Sequence, residues 1–355
     1  MQQVAESPVK VIPKWFRMDD PTKLCNSFEF GPAWWIHLPM KLFGIYWGIR
    51  LRNFGFFAAT NPGLENGGLF DYSKSNAMQQ LDAANLPKSV KVQYPYFQSE
   101  IMRRLELAEI RFPIVAKPDF GERGREVEFL ENPEALKDYL ADKKQGNYIL
   151  QEKLEEELEF GVFYSKNPKS GLSQITSLTL KIPLQVVGDG KYSVETLILN
   201  HTRARRYPQE INFQHTGYVP ESGEVVKLSQ KGNHCKGAVF LDCSEFIDAE
   251  LVGVFERICK PITGFFYGRL DVKVDSFKDL WDKKNVKVIE VNGCNSEPIH
   301  IYSPGNTYVQ AIKSIKDHFS IMAGIAKFNL ETKKYQPDIS KLWSNYLNFR
   351  KSRKL

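Results

Sequence analysis

Cysteine is the first scarcity in this chain. Five residues among 355, Cys25, Cys235, Cys243, Cys259 and Cys294, are odd in number and lack disulfide-framework spacing, which excludes the small cross-linked secreted class. With no cleavable leader pattern at the start, a reducing cytoplasm is the expected location. His234, Cys235 and Cys243 have no fourth ligand at a recognisable spacing, so ordinary buried or loop residues are expected there rather than a zinc site. Long apolar runs are missing too. The aromatic stretch from Trp34 to Ile49 is interrupted by Lys41 and flanked by Arg50 and Arg52, whereas a bilayer-spanning helix needs about 20 mostly apolar residues. Nor is there a dominant block of one charge. The 48 basic and 42 acidic residues leave a net +6, concentrated only in the tail from Phe349 to Lys354, so no nucleic-acid partner is expected and phosphate-bearing ligands suit the excess equally well. Internal repeats and low-complexity tracts are absent.

What remains is a chain long enough for two or three packed subdomains with the composition of a folded protein. Residues 1–70 form an aromatic-rich segment, expected to pack on the core; the alternative is peripheral contact with the inner face of a membrane through residues 34–57, since aromatic rings beside basic residues suit that interface. The turn signals Asn61-Pro62-Gly63 and Asn66-Gly67-Gly68 predict a boundary near residue 70. Strands are expected over 112–117, 127–130, 148–152, 160–165, 265–274 and 286–292. Helices are expected over 133–143 behind Asn132, 193–199, 246–259 behind Ser244, 308–328 and 339–349. Strands in pairs, without regular βαβ alternation, indicate an α+β class.

Chemistry concentrates in a few places. Arg269 and Asp271 lie two apart on one expected strand, Glu290 and Asn292 on another, so each pair points to one side of its strand. If those strands pair, Asp271, Glu290 and Asn292 converge as hard oxygen ligands beside Arg269, suited to magnesium and nucleotide phosphates; otherwise they are solvent-facing sheet positions. Upstream, Phe112 to Pro118 leads into a glycine loop containing Gly121, Arg123 and Gly124. Glycine lets backbone amides approach phosphate oxygens, and Lys117 adds a fixed charge. The loop has no Gly-Lys-Ser/Thr ending and opens no helix, so it is neither a P-loop nor a dinucleotide fingerprint; a hairpin turn is the alternative. Tyr148-Ile149-Leu150-Gln151-Glu152-Lys153-Leu154 follows, then Glu159.

In that order, Lys-Pro before a glycine loop, a Glu-Lys segment with a later glutamate, Gly-Arg-x-Asp and Glu-x-Asn resemble the ATP-grasp superfamily, especially its D-alanine-D-alanine ligase and cyanophycin synthetase-like carboxylate-amine ligases. The resemblance implies two α+β subdomains clamping ATP within residues 71–303, a central part over 112–185 and a C-terminal part over 186–303, followed by helices over 304–355. It implies ATP and two Mg2+ ions, with Mn2+ as an alternative, and small-molecule carboxylate and amine substrates joined through an acyl phosphate. By the same resemblance Lys74 and Lys117 contact phosphates, the 121–124 loop closes over them, and Glu152, Lys153 and Glu155 flank the adenine. Glu159 holds the ribose, Asp271, Glu290 and Asn292 hold the metal, and Arg269 serves the transferring phosphoryl group. Lys191, with Asn200 and Arg203, is placed near the γ-phosphate, and Asn233 in a later loop. The substrate turn departs from the family pattern, reading Gly293-Cys294-Asn295-Ser296-Glu297-Pro298, so D-alanine is not expected as the substrate; Ser296, Glu297 and His300 are candidate substrate contacts. A kinase on the same fold and a non-enzymatic nucleotide binder at a membrane are the rival readings.

Overall fold

The computed structural model describes residues 21–352 except 27, 121–125, 142, 144–145, 212–216, 230–231 and 334. The chain enters through α1 (Trp34–Arg50) and the short helices α2 (Phe56–Thr60) and α3 (Lys74–Met78). Ile36, Met40, Phe43 and Trp47 recur at helical spacing along α1 and pack into one apolar cluster with Phe319 and Met322 of a C-terminal helix, as a helix with one apolar stripe must. The aromatic segment thus lies on the core along one face. Its other face leaves Trp34, Leu38, Leu42 and Ile49 exposed. The glycine turn at 66–68 is no mere boundary: Gly67 and Gly68 adopt positive φ, and a Cβ on Gly68 would come within 2.6 Å of the Gly293 Cα, an approach only glycine permits.

Next comes a four-stranded antiparallel sheet of β1 (Ser89–Gln93), β2 (Ile114–Pro118), β3 (Glu128–Leu130) and β4 (Asn147–Glu152), ordered β1-β4-β2-β3. It shares a small core with α4 (Gln98–Leu107) and α5 (Pro133–Ala141). Asn132 caps α5, its Oδ1 accepting from the Ala135 amide at 2.9 Å, with Pro133 at the first helical position.

The larger unit begins with β5 (Leu158–Lys166) and β6 (Ser173–Ile182), continues through β7 (Gln185–Val187), α6 (Val194–Asn200), β8 (Val225–Lys227), β9 (Val239–Asp242) and α7 (Ala249–Cys259), and ends with β10 (Tyr267–Val274), β11 (Lys287–Asn292), α8 (Tyr308–Glu331) and α9 (Ile339–Ser352). Its antiparallel sheet runs β11-β10-β5-β6-β9. β5 and β6 belong to this sheet, and residues 153–157 connect it to the first. One correction concerns α7: Ser244 heads only a short 3-10 turn, and Asp248 is the true cap, accepting from the Leu251 amide at 2.9 Å.

The period of two along these strands separates two faces. Phe160, Val162, Leu178, Leu180, Leu270 and Val272 pack against α7 in the main core. The alternate residues turn the other way, and the ionic side chains among them face the first sheet across a cleft.

Candidate functional site

β10 and β11 pair antiparallel, with Arg269 opposite Asn292 and Asp271 opposite Glu290; directly opposed residues share a face, so all four converge on the cleft. β5 lies on the other side of β10 and β6 beyond it, with Lys273 opposite Glu159 and Glu159 opposite Lys181. The cleft floor is therefore a checkerboard of charge. Arg269 donates from Nε to Asp271 Oδ1 at 2.8 Å, from Nη2 to Oδ2 at 3.2 Å and from Nη1 to the Glu297 carbonyl at 3.2 Å. Lys181 Nζ lies 3.0 Å from Asp271 Oδ2 and 2.8 Å from Glu159 Oε1. Burial pushes the Asp271 carboxyl up, but Arg269 and Lys181 outweigh it and hold its pKa well below the usual range. Gly161, between Asp271 and Thr179 in the sheet, has no room for a side chain: a Cβ would lie 2.7 Å from Ile299 Cδ1 and 3.2 Å from Arg269 Cδ.

Two lysines meet these groups from different elements. Lys117 on β2 reaches across, donating to Gln151 Oε1 at 2.7 Å and to the Ile289 carbonyl of β11 at 2.9 Å. Burial pushes its pKa down to about 8, with Glu290 acting the other way. Lys74, at the start of α3, pairs with Glu290. Although burial raises the Glu290 pKa, Lys74 brings it below the usual value. α3 is fixed in place by Asp119, fully buried after β2, which accepts from Ser73 Oγ and the Ser75 amide at 2.8 Å each and pairs with Lys91 at 2.7 Å. Sequence reasoning missed Asp119 and Lys181; the Pro-Asp step after Lys117 was the available signal for the first.

The remaining candidates divide. Lys153, Glu155 and Glu159 line the cleft, as do Ser296, Glu297 and Asn233. Ser296 turns its Oγ back to the Gly293 carbonyl at 2.6 Å, whereas the Glu297 carboxylate stands 3.6 Å from His37 of α1. Glu152 points away, accepting the Lys88 amide at 2.7 Å. Lys191 sits exposed on a turn whose Asp189 side chain accepts its amide at 2.9 Å, and it is not among the residues lining the cleft. Arg203 is also elsewhere, buried in a forked pair with Glu29. His300 turns to α8, 3.1 Å from Ser314 Oγ, and burial lowers its pKa. Gly121, Arg123 and Gly124 lie outside the described residues.

A hard divalent cation fits this donor set. Asp271 and Glu290 bring carboxylate oxygens to one face. The Asn292 amide, buried, leaves Nδ2 without a hydrogen bond while its Oδ1 faces the Tyr72 hydroxyl at 3.4 Å. With the amide turned over, Nδ2 would donate to the Tyr72 hydroxyl and Oδ1 would be left for a cation.

No family model matches the sequence, and no curated protein matches it. Among solved structures the chain is similar to a bifunctional glutathione synthetase from Pasteurella multocida, with 16% identity and a TM-score of 0.38 over 71% of this chain and 38% of that one. It is similar to the VanG D-Ala:D-Ser ligase from Enterococcus faecalis, at 14% identity and a TM-score of 0.40 over 72% and 62% of the two chains. A D-alanine-D-alanine ligase from Bacillus anthracis matches at 13% identity and a TM-score of 0.42 over 76% and 71%. The match thus spans less than two thirds of the first two of those proteins. At these identities and TM-scores the functional reading rests on the cleft itself.

Proposed function

We propose that this chain has an ATP-grasp fold and is an ATP-dependent carboxylate-amine ligase, working through an acyl phosphate. One observation carries the reading: Arg269, Asp271, Glu290 and Asn292 share one face of β10 and β11, where Lys117 of β2 and Lys74 of α3 meet them. A cleft in which lysines from two elements meet paired carboxylates and an arginine suits a metal-bound polyphosphate. Asp271, Glu290 and Asn292 would hold Mg2+, which neutralises phosphate charge when bound.

The chain's own residues then have distinct tasks. Lys117 and Lys74 hold the phosphates, and Glu159 with the 153–155 segment holds the nucleoside. Arg269, anchored by Asp271 so that it needs no reorganisation, stabilises charge on the passing phosphoryl group. A carboxylate oxygen attacks the γ-phosphorus, the bond to the β-phosphate oxygen breaks and ADP leaves. An amine then attacks the acyl carbon, inorganic phosphate departs, and the amine proton passes to the Glu297 carboxylate. No protein nucleophile takes part.

The test is an ADP-release screen over carboxylate and amine pairs. Phosphate released only when both partners are present is the expected result, with Glu290→Gln inactive. A stable phosphorylated product without amine dependence would instead identify a kinase, and activity surviving Glu290→Gln would sink the metal assignment.

A further inference from the structure

The cavity does not end at the reaction centre. Its volume is about 1830 Å³, well above the ~300–1,000 Å³ of an ordinary small-ligand pocket, and its wall changes character along its length. On the nucleotide side it is ionic. Beyond Glu297 it is formed by α1, whose His37, Met40, Lys41, Gly44 and Ile45 line it. Their spacing of three, four, seven and eight residues places them on one helical face. Phe54, Phe57 and Phe319 complete the wall. Gly44 faces two of those rings, a Cβ there meeting both Phe319 and Phe57 at 3.6 Å, an ordinary contact. The corridor begins at the reaction centre itself, because Arg269 donates to the Glu297 carbonyl and the Glu297 carboxylate faces His37. It ends in the open, where Ile45 is 51% and Phe54 62% exposed.

We propose that one of the two substrates is an amphiphile whose reacting head lies at Arg269 and Glu297 and whose hydrocarbon chain runs along α1 to Ile45. The head rests on the ligase reading above; the chain rests on the corridor. A substrate without a chain would leave this apolar wall facing water beside a charged centre, and covering it contributes in proportion to the area removed from solvent. From His37 to Ile45 the helix rises about 12 Å, the length of a chain of roughly nine or ten carbons.

Binding of straight-chain carboxylates and, in parallel, of alkylamines, each below its micelle concentration and with a non-hydrolysable ATP analogue and Mg2+ present, tests this by calorimetry. One of the two series is expected to gain roughly three- to fourfold in affinity per methylene and to level off near ten carbons; which series does so says which substrate bears the chain. Ile45→Glu should cost the longest chain about tenfold or more, since a charge replaces apolar lining. Leu42→Glu, on the same helix but off the cavity, should cost nothing. Affinity independent of chain length in both series, or equal losses in Leu42→Glu and Ile45→Glu, overturns the proposal, the latter by revealing adsorption to the outer face of α1. ADP release is read separately. Chain binding without ADP release for any pair leaves the corridor standing and fails the ligase reading, while ADP release from short substrates with no length dependence does the reverse.

Discussion

Arg269 is held by three hydrogen bonds before any substrate arrives, so its removal should be felt in the transition state more than in nucleotide binding. Arg269→Ala is expected to lower kcat by about a hundredfold or more while the ATP dissociation constant moves only a fewfold; equal losses in both would contradict its role. Lys181 is different in kind. It pairs with both Glu159 and Asp271, sharing the latter with Arg269, and Lys181→Met leaves those carboxylates facing each other in a buried site. The expected cost is about 3–5 kcal/mol in urea unfolding at neutral pH, shrinking in acid as a carboxyl takes up a proton. Lys117 sets a pH dependence. Because burial pushes its pKa down to about 8, kcat/KM for ATP should fall as pH rises through that value and the lysine loses the charge that meets phosphate. Lys117→Arg should move that limb upward. The sign for stability is opposite: from pH 8 toward 10.5 the unfolded chain keeps the proton that the folded one has lost, so the fold gains stability there.

Among the elements, the pair β10–β11 was legible from sequence because Arg269-Leu270-Asp271 and Glu290-Val291-Asn292 alternate strictly, and the register places them as that alternation requires. β6 was not legible. Its pairing with β5 shifts by one residue between Phe163 opposite Ser177 and Tyr164 opposite Ile175, so Thr176 is extra and the apolar Ile175 and Leu178 stand three apart yet enter the same core. A bulge of this kind breaks the period on which strand recognition depends, and Lys181 was lost with the strand. Gly188-Asp189-Gly190-Lys191 has a second reading that sequence does not separate from a ligand loop: the Asp189 side chain closes the turn itself, accepting from the Lys191 and Tyr192 amides at 2.9 Å each. Gly161 gives the element-scale test. Gly161→Ala would push a methyl toward Ile299 and Arg269, and is expected to reduce turnover at least tenfold with a loss of about 1–3 kcal/mol in stability; unchanged turnover would mean that Arg269 has more freedom than its contacts imply.

For the whole molecule, acid sensitivity follows from His318 at the centre of α8. Its ring lies 2.9 Å from the Tyr267 hydroxyl and 4.4 Å from the Phe163 ring centroid, joining the large sheet to the C-terminal helix, with His300 the other titratable ring nearby. Burial drives its pKa down to about 3, His300 adding to the effect. Between there and 6.5 the unfolded state takes up a proton that the folded state refuses. Stability is therefore present in full above pH 6.5 and lost as pH falls, by at most about 5 kcal/mol from this group. Melting temperature should drop between pH 7 and 5, and His318→Gln should flatten that slope. The seating of the N-terminal helices on α8 has a further consequence, in time rather than space. The Thr60 hydroxyl waits for the carbonyl of Met322, 262 residues later. At ~5–20 residues per second, α1 and α2 leave the ribosome some 15 to 50 seconds before the surface that covers them exists. Nascent chains of this protein should bind chaperones early, and chains stopped before α8 should aggregate while the full-length product does not.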